Sequence, residues 1–122
     1  MNIEMTDHDD PDRIATRRAA NDAFRVTLNG GSVVLTAGVI ALGADNQARI
    51  IAAVRRCTAF DDDDPLDTHD IGDVTVTLVE PGIACWSELI FFKVVDIGAA
   101  AAPTASPAPI TRQLILMLAS EW

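Results

Sequence analysis

Apolar residues repeat with two periods along this chain: every third or fourth position through much of the first half, and every second position in the second half. Between residues 11 and 28, Ala20, Ala23, Phe24 and Leu28 fall on one face of a helical period, opposite Arg18, Asn21, Asp22 and Arg25. This predicts an amphipathic helix whose polar stripe lies in solvent, with Asp22 making weak ion pairs to Arg18 and Arg25. Asp10 followed by Pro11 reads as a cap and a first helical residue, because the N–H that proline lacks is one a helix start leaves unbonded. Gly30 and Gly31 supply the left-handed backbone that ends the helix. Asp45 predicts the cap of a second helix running to about residue 60, with Ile50, Ala53, Val54 and Cys57 as its inward stripe and Arg49 and Arg56 well away from it.

Residues 32–36 form a β-branched run that predicts a short strand, and the glycine-bounded residues 37–43 predict a turn. From 73 to 79, Val74, Val76 and Leu78 alternate with Thr75 and Thr77, as in a half-buried strand, and Pro81-Gly82 is the turn after it. Residues 86–95 are apolar on both faces: Trp86, Ile90, Phe92 and Val94 on one, Leu89, Phe91 and Val95 on the other. Such a strand needs cover on both sides, from a second layer of the same chain or from another molecule, so a homodimer is one expectation. In residues 110–118 the leucines at 114, 116 and 118 alternate as in a strand, while Ile110, Leu114, Met117 and Leu118 also satisfy a helix; a strand is the favoured reading. The predicted fold is α+β, with two N-terminal helices flanking a short strand and packed on an antiparallel meander of two or three strands. Residues 1–9 are expected to be a flexible acidic tail, and 10–122 one domain with a flexible Ala/Pro-rich connection at 98–109.

Charge changes this picture more than length does. A net charge of −9 over 122 residues argues against direct binding to nucleic acid or to an anionic membrane, and favours a basic partner. The acids are concentrated: Glu4, Asp7, Asp9, Asp10 and Asp12 in one window, and Asp61, Asp62, Asp63, Asp64, Asp67, Asp70 and Asp73 in another, with no lysine or arginine in either. The remainder is mildly basic. The first residues are acidic where a signal peptide is basic, and no apolar run is long enough to span a bilayer, so a cytoplasmic protein is expected. Cys57 and Cys85 match no ligand or redox spacing and read as buried, reduced thiols.

The candidate chemistry is sparse. The aspartate run lacks the glycine and glutamate that a calcium loop requires, so no metal is assigned, and no cofactor motif occurs. His69 could act as a general base if a carboxylate orients it, with Asp67, Asp70 or Asp73 as candidates, and Lys93 interrupts an apolar strand. A small hydrolase or transferase using His69, Asp70 and Lys93 is therefore the alternative reading. The favoured one is a non-enzymatic interaction protein, working through the second face of its sheet or through Asp61, Asp62, Asp63, Asp64, Asp67, Asp70 and Asp73. Its most specific form is an acidic protein that imitates a nucleic-acid backbone and inhibits a nucleic-acid-acting enzyme.

Several segments together resemble a family of small alphaproteobacterial proteins of unknown function, often encoded on plasmids. They are the stretch from Asn21 through Arg25, Gly30-Gly31 with residues 33–36, Gly38-Val39, Ala41-Leu42-Gly43, Ala59-Phe60-Asp61, His69-Asp70 with Gly72, Phe92-Lys93, and the ending 117–122. The chain departs from that pattern at Asp67-Thr68, where Gly-Glu is expected, and at Val95 and Ile97, where aromatic residues are. The resemblance implies carriage on mobile elements and assigns no activity.

Overall fold

A computed structural model describes residues 11–58, 60, 67–97 and 112–122. The acidic tail, the Asp10 cap, Asp61, Asp62, Asp63, Asp64 and the connection at 98–109 lie outside the described residues. The elements run α1 (Pro11–Thr27), β1 (Gly31–Leu35), α2 (Ala37–Ile40), α3 (Ala44–Arg55), β2 (Ile71–Glu80), β3 (Ala84–Asp96) and β4 (Arg112–Leu118), closed by a 3₁₀ turn at Ala119–Glu121. The fold is α+β, with a mixed four-stranded sheet in the order β1-β4-β3-β2. β2, β3 and β4 form the antiparallel meander, and β1 joins β4 in parallel, from Gly31 beside Arg112 to Leu35 beside Leu116. The C-terminal segment is thus a strand, and lies inside the sheet.

Alternation along the strands sorts residues onto two faces. Leu78 of β2, Ile90 and Phe92 of β3, and Leu114 and Leu116 of β4 are wholly buried with Val39 of α2 and Ile50 and Val54 of α3. Each such side chain contributes roughly 1.5–3 kcal/mol by leaving water. Gly72 permits this packing at one tight point, since a Cβ there would fall on the Phe92 ring.

Local details differ from expectation for identifiable reasons. The α3 helix ends at Arg55, short of residue 60, and starts after Gly43 with no side-chain cap, so Asp45 lies in its first turn. Residues 37–43 are not only a turn, because α2 occupies four of them. The left-handed residue after α1 is Leu28 (φ 60°), with Gly30 the next (φ 81°), while Gly31 is already in β1. Leu28 packs against the core, which offsets the roughly 1–2 kcal/mol that this backbone costs a residue with a Cβ.

The chain end is latched back onto the start of the sheet. The Glu121 carboxylate accepts hydrogen bonds from the Thr36 hydroxyl (2.6 Å), the Leu118 N–H (2.9 Å) and the Gly38 N–H (3.0 Å). These bonds, the Thr36 hydroxyl foremost, hold its pKa below the usual carboxylate value. A Cβ at Gly38 would lie 2.7 Å from the same carboxylate, so the latch needs glycine there.

Candidate functional site

Two residues of the polar stripe of α1 face inward, with Arg18 and Asp22 half-buried beside them. Asn21 and Arg25 are each only 3% exposed, and they meet the chain where it enters β2. The Asp22 carboxylate lies 3.0 and 3.1 Å from Nδ1 of His69 and also accepts from Arg25 (2.9 Å). A second Arg25 nitrogen donates to the Cys57 carbonyl (3.1 Å), while its Nε is buried without a partner. The guanidinium sits 4.8 Å over the Phe60 ring, on which the His69 imidazole stacks at 4.0 Å and 10°. Phe60 in turn meets Phe92 edge-on, tying this polar corner to the core.

His69 is held through its backbone as well. It adopts left-handed φ (57°), and its N–H donates to the Asp67 carboxylate (2.8 Å), a local bond that favours this turn. Arg18 donates to the Asp67 carbonyl (2.6 Å), and the Asn21 amide donates to the Thr68 carbonyl (3.0 Å). Arg112 of β4 donates to Asn21 (3.1 Å), so three distant segments converge on one helical stripe. Because a carboxylate occupies Nδ1, that nitrogen carries the proton, and Nε2 is the acceptor of the neutral ring.

Among the described residues, those singled out from sequence are separated by the fold. Asp67 serves the His69 turn, and the Asp70 carbonyl accepts from Val94 (2.7 Å). Asp70 also lines a surface depression with Arg17, Asn21 and Asp96. Asp73 and Lys93 are exposed on the sheet face opposite the helices, so Lys93 does not join His69. The acid that orients His69 is Asp22, not Asp67, Asp70 or Asp73, and its signal was the regular spacing of Arg18, Asn21, Asp22 and Arg25, read as a solvated stripe. Cys57 is buried as expected, but Cys85 is exposed, beside the β2–β3 hairpin. Among the described residues no three of His, Cys, Asp or Glu converge as a metal site, and no helix is long and apolar enough to cross a membrane.

The second face of the sheet is the larger feature. All the helical packing of the core lies on one side; on the other, Val34 of β1, Ile115 and Met117 of β4, Leu89, Phe91 and Val95 of β3, and Ile71 of β2 lie in adjoining register rows, with Lys93 between Ile115 and Ile71 and Asp73 beside Phe91. Val34, Leu89 and Ile71 are 39%, 40% and 45% exposed. Trp122 lies against Phe91 at 5.0 Å and is itself 60% exposed.

Residues 35–121, well over half of the chain, match the model of a family described as Protein of unknown function (DUF3768). The chain belongs to the DUF3768 family. The matched segment takes in His69, the meander and the Glu121 latch, and leaves out the α1 stripe that completes the polar corner. No curated protein and no solved structure matches this DUF3768 chain.

Proposed function

We propose that this DUF3768 protein acts by binding another protein through the open face of its sheet, and not by catalysis. The observation that carries the reading is β3, which carries Leu89, Phe91 and Val95 beside Lys93 on its outer side, while helices cover only the inner one. Aliphatic and aromatic side chains left partly exposed in adjoining rows are what a docking surface offers, since covering their remaining apolar area is favourable. The net charge of −9 favours a basic partner by long-range attraction, and a nucleic-acid-acting enzyme inhibited by the acidic windows is the most specific form of this proposal. The test is capture of bacterial proteins by three forms: native, Leu89→Lys with Phe91→Lys, and Asp61, Asp62, Asp63 and Asp64 all changed to Asn. A basic protein lost only by the lysine form supports the sheet face. Loss only by the asparagine form moves the interface to the acidic window, and equal capture by all three overturns the proposal.

One geometry favours a second reading, a small hydrolase or transferase. Asp22 holds Nδ1 of His69, which is how a general base is oriented. His69 is 9% exposed, however, and Lys93 lies across the sheet. His69→Gln separates the readings: a loss of partner-independent turnover on generic ester or phosphoester substrates, with folding intact, supports catalysis, and a change in stability alone supports a structural histidine.

A further inference from the structure

The edge of the sheet at β2 carries a site distinct from the open face. β2 is a ten-residue edge strand with no proline, and its charged residues, Asp73 and Glu80, leave the stretch from Val74 to Val79 without a charge that would blunt pairing with another chain. Its even-numbered residues bond to β3, as the Val94 N–H bonded to the Asp70 carbonyl one step beyond the strand confirms, so the backbone of the odd-numbered residues points outward. Two of those positions are already engaged. The Asn46 side chain of α3 bonds both backbone groups of Val79 (3.0 and 2.9 Å), and the Cys57 thiol lies 4.0 Å from the Asp73 carbonyl. Between them, Thr75 and Thr77 present N–H and C=O groups that have no partner among the described residues.

A groove runs along this gap. Its other wall is spaced i, i+3, i+4, i+7 along α3 and its cap: Arg49, Ala52 and Ala53 within the helix, and Arg56 as the C-cap residue. The alanines leave room beside the strand, and the arginines stand at the two ends, about 10 Å apart along the helix. Both are exposed, and their guanidinium groups form no hydrogen bond or ion pair with another described residue. We propose that this groove binds an extended acidic peptide segment, which pairs with Thr75 and Thr77 as a fifth strand and sets carboxylates on Arg49 and Arg56. Strand residues on one face repeat about every 6.6–6.8 Å, so acids two to four positions apart reach the two arginines.

Charge decides against a second copy of this chain as the occupant. Edge-to-edge pairing of two β2 strands about a twofold axis would line both α3 helices along one seam and bring four arginines together. Most acids lie in the two windows at 1–12 and 61–73 and the remainder is mildly basic; Asp73, the last acid of the second window, stands on β2 two residues from Thr75, so Arg49 and Arg56 must outweigh it for an acidic ligand to bind.

The probe is a fluorescein-labelled peptide of alternating valine and aspartate, eight residues long and amidated, followed by anisotropy at low ionic strength. Its controls carry lysine for aspartate, or N-methyl groups on alternate backbone nitrogens. The full chain is expected to bind the acidic peptide, to slow amide exchange at Thr75 and Thr77, and to ignore the lysine peptide and the peptide N-methylated on its pairing edge. Arg49→Glu with Arg56→Glu should weaken acidic-peptide binding about tenfold or more, while Leu89→Lys with Phe91→Lys leaves it unchanged. No binding, equal binding of the lysine peptide, or binding insensitive to the arginine changes overturns the proposal. So does sedimentation of the free protein as a dimer in which Thr75 and Thr77 are already protected, which would give the edge to a second copy.

Discussion

Ile90 and Phe92, on the helix side of β3, are fully buried, whereas Leu89, between them in chemistry and adjacent in sequence, is 40% exposed. Both faces of the sheet carry leucine, isoleucine, valine and phenylalanine, the outer one with Lys93, Asp73, Thr75 and Gln113 set among them, yet α2, α3 and the Phe60 corner cover only the inner face. Apolar content therefore does not determine burial here; the layer that packs on it does. A face that is apolar and uncovered is stable only so far as it is small or occupied, and this asymmetry is what separates a core from a docking surface.

Paired substitutions on one strand test the comparison most directly. Phe92→Ala should lower unfolding free energy by about 3–5 kcal/mol, read from the midpoint of urea denaturation, because it opens a cavity beneath Phe60 and Gly72. Phe91→Ala should lower it by less than about 1 kcal/mol. Comparable losses would mean that the outer face is covered in solution, and the contrast between faces would collapse.

Arg25→Ala ranks next, at about 3 kcal/mol, because it empties a buried site and leaves the Cys57 carbonyl without its donor. A loss below about 1 kcal/mol would show the polar corner to be ornamental to the fold. Asn46→Ala is expected to cost about 2 kcal/mol through the two backbone groups of Val79 that it leaves unbonded. The same variant should speed amide exchange at Val79, and unchanged exchange would deny Asn46 its place at the strand edge.

The smallest effect belongs to the exposed latch. The folded-state pKa of Glu121 is depressed, so its contribution to stability is full above the ordinary glutamate value of 4.5 and is lost as pH falls below it. Glu121→Gln should flatten that part of the acid limb of stability, followed by tryptophan fluorescence because Trp122 rests on Phe91. An acid limb identical to that of the native chain would remove Glu121 as its source.

Much of the architecture was legible in periodicity. The helical stretch after Pro11, the alternation in β2, the turn at Pro81-Gly82 and the double apolarity of β3 each predict the element found. Less of the candidate site was legible. The stripe of Arg18, Asn21, Asp22 and Arg25 reads as solvated by every local criterion, because nothing within one helix tells that Thr68 and His69 will approach it from more than forty residues away. The groove at β2 was hidden for a related reason: Arg49 and Arg56 stand off the buried stripe of α3, and only the pairing order shows that a strand edge runs beside them.

Taken alone, the order of residues determined the periods, most of the element boundaries and the acidic imbalance, since these depend on neighbours within one turn or one pleat. Tertiary structure decided that β1 joins the last strand in parallel, that Asn21 and Arg25 of the polar stripe are buried beside His69, and that one sheet face and one strand edge are left open. Those outcomes depend on which distant groups satisfy each hydrogen bond and which layer excludes water. No window of sequence shorter than the fold contains that information.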